Sequence, residues 1–106
     1  MAKKVKVPLK NFATNEEFHK FVENEKEWMY NRIVNAIEQA YNDNKLEAVI
    51  FEAKIQESMS IIVMNSELGD WENSLKLAIK WYETLENYEK CSSISKLIEN
   101  INKIGA

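Results

Sequence analysis

Residues 47–56 read Glu47-Ala48-Val49-Ile50-Phe51-Glu52-Ala53-Lys54-Ile55-Gln56, and whether they form a strand or a helix decides the fold. Phe51, Ala53 and Ile55 alternate with Glu52, Lys54 and Gln56, the period of a strand with one wet face. After Glu57-Ser58 comes Met59 to Met64, rich in Ile and Val. It reads as a second strand, buried on both faces or lying centrally, so that 47–64 forms a β-hairpin. If these residues are helical instead, the chain is an all-α bundle.

Working outward, Lys4 to Leu9 places Val5, Val7 and Leu9 in alternation with Lys4, Lys6 and Pro8. That pattern suits an edge strand, where proline is tolerated and lysines discourage pairing with other chains. Thr14-Asn15-Glu16-Glu17 is a capping box that opens a helix. Phe18, Phe21, Val22, Trp28, Met29, Ile33, Ala36, Ile37, Ala40 and Tyr41 then recur at spacings of three and four over 14–43. The stripe weakens from Glu23 to Glu27, which allows a kink, and Asn42-Asp43-Asn44 ends the helix.

On the C-terminal side, Asn65 to Gly69 reads as a polar loop and Asp70 as the N-cap of the next helix, with Glu72 complementing its dipole. Trp71, Leu75, Ala78, Ile79 and Tyr82 follow at helical spacing. The pattern breaks at Glu86-Asn87 and restarts through Tyr88, Cys91, Ile94, Leu97, Ile98, Ile101 and Ile104. Asn87 suits the second N-cap, and so short a connection makes 70–103 an antiparallel helical hairpin. The expected fold is α+β: edge strand within the basic arm 1–13, long helix, β-hairpin, helical hairpin, with helices on one face of a small antiparallel sheet. All 106 residues fit one domain, large enough to bury roughly 65% of its unfolded surface.

The only cysteine, Cys91, has no internal disulfide partner, and no CxxC pair occurs, so a reducing, cytoplasmic compartment is expected. No secretory signal is read, and apolar runs such as Ile61 to Met64 are too short for a bilayer, so no membrane partner is expected. Net charge is −3, with Lys3, Lys4, Lys6 and Lys10 concentrated in the first ten residues and an acidic body behind them. These four lysines are the candidate anion contact, but an acidic body repels phosphate backbones and nucleic acid is a weak expectation.

Catalytic and metal signals are poor. His19 stands four residues before Glu23, with no other His or Cys nearby in sequence, so a solvent-facing histidine is the simpler reading. Cys91 sits in register with Tyr88 and Ile94, the place of a structural thiol rather than an activated nucleophile. Carboxylate pairs such as Glu23 and Glu27 share an exposed helix face. With only Gly69 and Gly105, no glycine-rich phosphate loop can be built, and Gly69 reads as a turn residue. No cofactor, no metal and no enzyme activity are expected.

One anomaly points to binding. Trp71, Leu75, Ala78 and Tyr82 form one stripe of the first hairpin helix, while Leu77, Trp81 and Leu85 form another, displaced around the axis. A helix apolar around most of its circumference is deeply buried or has a second partner. Either the sheet and the last helix cover both stripes, or another chain covers one. Trp71, Leu77, Trp81 and Leu85 are therefore the candidate partner-binding residues, for a protein partner or a homo-oligomer.

The pattern Asp70-Trp71-Glu72-x-x-Leu75-x-x-Ala78-Ile79-x-x-Tyr82-x-x-x-Glu86-x-Tyr88-Glu89-x-Cys91 resembles the C-terminal part of small proteins encoded by tailed bacteriophages. The resemblance covers the last third of the chain. It implies phage origin and a bacterial cytoplasm, and brings no activity with it. Leu85-Glu86-Asn87-Tyr88-Glu89 is similar to the acidic-aromatic turn of the UVR helical hairpin of bacterial excision-repair proteins. That hairpin is a protein–protein contact element. This chain departs from it at Cys91-Ser92 and Ser95-Lys96, where that family tends to have Ala-Ala and Arg-Asp. The expected function is a non-enzymatic adaptor or inhibitor acting on a host or phage protein. The alternatives are a homo-oligomeric assembly protein and a weak nucleic-acid binder.

Overall fold

Thr14 opens the first helix as its residue type predicts. Its Oγ1 accepts from the Glu17 backbone N–H at 3.1 Å, and the Glu17 carboxylate accepts from Ala13 N–H at 2.9 Å. The computed structural model describes residues 7–103. Within them the order is β1 (Leu9–Phe12), α1 (Asn15–Asn24), α2 (Lys26–Asn42), β2 (Glu47–Ile55), β3 (Ser60–Glu67), α3 (Leu68–Thr84) and α4 (Tyr88–Asn102). The fold is α+β, in the order of elements that the residue patterns predict. The single long helix of 14–43 divides at Glu25 into α1 and α2, inside the weak stretch of its stripe.

The sheet runs β1-β2-β3 and is mixed rather than antiparallel. β2 and β3 form the expected hairpin, but β1 pairs parallel to β2, Leu9 opposite Glu52 and Phe12 opposite Ile55. A parallel neighbour requires a crossover, and α1 and α2 supply it. The edge strand is displaced from the 4–9 pattern. Val7 and Pro8 precede it, and residues 4–6 lie outside the described residues. Pro8 has no N–H to give a ladder, but its carbonyl still accepts from Glu52 N–H at 2.9 Å.

β2, not 59–64, is the central strand. Phe51, Ala53 and Ile55 are buried on the face that meets the helices, and Glu52 and Lys54 lie on the other. β3 is an edge. Its Ile61 and Val63 are 66% and 50% exposed beside Lys54 and Glu52, while Ile62 and Met64 reach the core side. β3 also runs on through Asn65, Ser66 and Glu67, which pair with Val49, Ala48 and Glu47, so the expected polar loop is strand. A register shift between Val49 and Phe51 leaves Ile50 unpaired in the ladder. This bulge switches the buried parity: Ala48 and Ile50 before it, Phe51, Ala53 and Ile55 after it.

Because β3 ends at Glu67, α3 starts three residues earlier than a cap at Asp70 would set it. Glu67 is its N-cap without a side-chain bond, and Asp70 lies inside the first turn. Gly69 is likewise helical with no positive φ, so it is not a turn glycine. Glu72 stands one residue beyond that first turn. Its carboxylate accepts from Asn102 Nδ2 at 2.8 Å and pairs with Lys76, contacts that lower its pKa. The bond to Asn102 also ties the start of α3 to the end of α4. Near the turn, Cys91 Sγ reaches the Ile79 carbonyl at 3.5 Å, completing an antiparallel hairpin.

With so little glycine, helix endings fall to other residues. Asn44 and Glu86 both adopt φ 57°, and each is the left-handed residue of a Schellman motif. After α3, Glu86 N–H reaches the Glu83 carbonyl at 3.0 Å and Asn87 N–H the Tyr82 carbonyl at 2.9 Å. Asn87 then caps α4 through Lys90 N–H, as expected. The left-handed conformation costs an exposed glutamate about 1 kcal/mol that glycine avoids. Glu86→Gly is therefore expected to stabilise the fold by about 0.5–1 kcal/mol, seen as a higher urea midpoint at unchanged slope.

Candidate protein-binding surface

The two stripes of α3 have different fates. Trp71, Leu75, Ala78 and Tyr82 are buried. Trp71 is fully enclosed, and its Nε1–H donates to the Ser66 carbonyl at 2.9 Å. The partner-binding expectation is thus corrected at Trp71: it is a core residue, because α3 lays this stripe against the sheet's inner face. The second stripe is covered by neither the sheet nor α4. Leu77 is 55% and Leu85 48% exposed. Trp81, one turn from each, is half-buried and stacks on Tyr30 of α2, ring centroids 5.8 Å apart at 23°.

The helix beside it completes an apolar surface. Val22, Met29, Tyr30 and Ile33 line a groove of about 360 Å³ together with Leu77, with Glu23, Lys26 and Ser74 also contributing. α1 and α2 present Val22, Met29 and Ile33 here because their hydrophobic stripe is wider than the sheet can cover. Trp81 Nε1 is screened from solvent and has no acceptor among the described residues. Tyr30 was the residue that sequence reading missed. It lies two turns before Ile37 on the same helix face, and only the crossing of α2 over α3 brings it to Trp81.

The remaining candidates are dispersed. Lys10 lies with its ammonium 4.9 Å from the Trp28 ring centroid and 5.7 Å from that of Phe21, a cation–π contact rather than a free anion site. Lys3, Lys4 and Lys6 lie outside the described residues. His19 is exposed on α1 beside Phe18, and Cys91 is half-buried on α4. Glu23 and Glu27 are both exposed. Among the described residues no three His, Cys, Asp or Glu side chains converge as a metal-binding group. Tyr82 has its pKa raised, first by burial and then by the charge of Glu27, so its hydroxyl is held protonated. Among the described residues no helix is long and apolar enough to cross a membrane.

No family model matches the chain, and neither does any curated protein or solved structure.

Proposed function

We propose that the chain is a non-enzymatic adaptor or inhibitor that binds a protein partner through the α2–α3 surface centred on Trp81. The observation that carries this reading is the pair of exposed leucines, Leu77 and Leu85, one helical turn on either side of Trp81 and continuous with the apolar groove. Exposed apolar surface of this kind marks interaction sites, and aromatic anchors beside it supply most of their energy. A groove between two helices fits the apolar stripe of a third. The 17 acidic residues outnumber 14 basic ones, and four of the latter lie in the N-terminal arm, so the fitting partner is a basic amphipathic helix. The likeness to tailed-phage proteins makes a host or phage protein in a bacterial cytoplasm the proposed target.

Wild type and a Leu77→Glu/Leu85→Glu double variant, expressed with a tag in the native host, provide the test. Both positions are exposed, so the double variant is expected to keep the wild-type circular dichroism spectrum and melting temperature. The wild type should retain one defined protein that the variant loses. Retention of the same protein by both would remove this surface from the proposal, and a wild type that retains nothing would remove the adaptor reading.

A further inference from the structure

β3 is an unusual edge. Natural sheets protect their edges with lysine, proline, bulges or very short strands. β1 follows this rule: it has four residues, carries Lys10 and is preceded by Pro8. β3 has eight residues, Ser60-Ile61-Ile62-Val63-Met64-Asn65-Ser66-Glu67, with no lysine, no proline and one charge at its end. The bulge of the hairpin lies on β2, where Ile50 is the unpaired residue, and so does not distort the outer edge of β3. Every second residue of this strand therefore turns its backbone N–H and C=O away from β2.

The strand is also close to a palindrome about Val63. A two-fold axis through Val63, perpendicular to the sheet, would pair β3 antiparallel with the β3 of another copy. Ser60 then faces Ser66, Ile62 faces Met64 and Val63 faces its own copy. All these pairs keep their faces of the sheet, as cross-strand neighbours must. Ile61 and Asn65 also pair, and Glu67 lies beyond the last pair, so no charge opposes a like charge. Moving the axis to Met64 would set Ile61 against Glu67. Ile62 and Met64, half-buried in one chain, would cover each other.

We propose that the protein forms a two-fold dimer in which the β3 edges of two copies pair about Val63 into one six-stranded sheet. This surface is separate from the α2–α3 groove and does not depend on it. Light scattering coupled to size exclusion is expected to give twice the 12.4 kDa of one chain for the wild type. Val63→Lys places two ammonium groups across the axis at a half-exposed site. It is expected to halve the mass while leaving the far-ultraviolet circular dichroism spectrum unchanged. Leu77→Glu/Leu85→Glu is expected to stay dimeric. Should Val63→Lys fail to fold, Ile61→Lys on the same exposed face replaces it with the same expected halving. A monomeric wild type would overturn the proposal, including one that binds an extended peptide along β3. So would a dimer that survives the lysine but dissociates on charging Leu77 and Leu85.

Discussion

Trp71→Ala is expected to destabilise the protein by about 3–5 kcal/mol, which is the usual cost of truncating a buried tryptophan. A domain of this size has about 5–15 kcal/mol in total, so this substitution brings the fold close to unfolding. Three terms add at this position. The indole is fully enclosed, so its removal leaves a void that the surrounding core fills only in part. Its Nε1–H satisfies the carbonyl of Ser66, at the strand end that leads into α3. It also anchors the first turn of a helix that begins without a side-chain cap. Trp71→Phe separates these terms. It keeps much of the packing but removes the hydrogen bond to the Ser66 carbonyl, and a smaller loss of about 0.5–1.5 kcal/mol is expected from that bond. Urea unfolding of the three proteins, read at the midpoint, measures both losses. Equal stability of wild type and Trp71→Ala would mean that Trp71 is not in the core.

The second large effect is at Arg32. Its Nε and Nη2 both donate to the Ile50 carbonyl, at 3.0 and 2.8 Å. Ile50 is the bulge residue that the β2–β3 ladder leaves without a partner. The guanidinium thus supplies from α2 what the sheet cannot supply itself. Burial lowers the Arg32 pKa from its ordinary value, but an arginine stays charged at any pH compatible with folding. Arg32→Ala is expected to cost about 1.5–3 kcal/mol, the range for hydrogen bonds made by charged groups. Arg32→Lys should recover only part of it, because an ammonium cannot present the planar fork. Urea midpoints for the three proteins check the order. A lysine variant as stable as wild type would show that the charge alone matters here.

Much of the fold is legible in short stretches. The alternation of Phe51, Ala53 and Ile55 with Glu52 and Lys54 identifies β2, because successive side chains of a strand point to opposite faces. Thr14 and Asn87 mark helix starts because their side chains bond N–H groups within the same turn. Asp70 has the same chemistry and misleads, since β3 continues to Glu67 and the chain turns straight into α3 there. Ile61 to Met64 misleads in the same way. Its composition suits a buried strand, and only pairing shows that one side of it has no neighbour. The candidate surface divides similarly: the residues of both α3 stripes can be read from helical spacing, but not which stripe faces the sheet.

The sequence by itself determined which segments are strands and helices, where two of the helices are capped, and that α3 carries more apolar surface than one face needs. These are local properties, set by periodicity and by hydrogen bonds within a turn. Only the tertiary structure decided that β1 runs parallel to β2, that β3 is an edge, that Arg32 serves the Ile50 bulge, and that Trp71 is core while Leu77 and Leu85 are surface. Each of those depends on contact between residues far apart in the chain. A stripe of apolar residues reports that a surface needs covering, and the packing of the other elements determines whether it is covered.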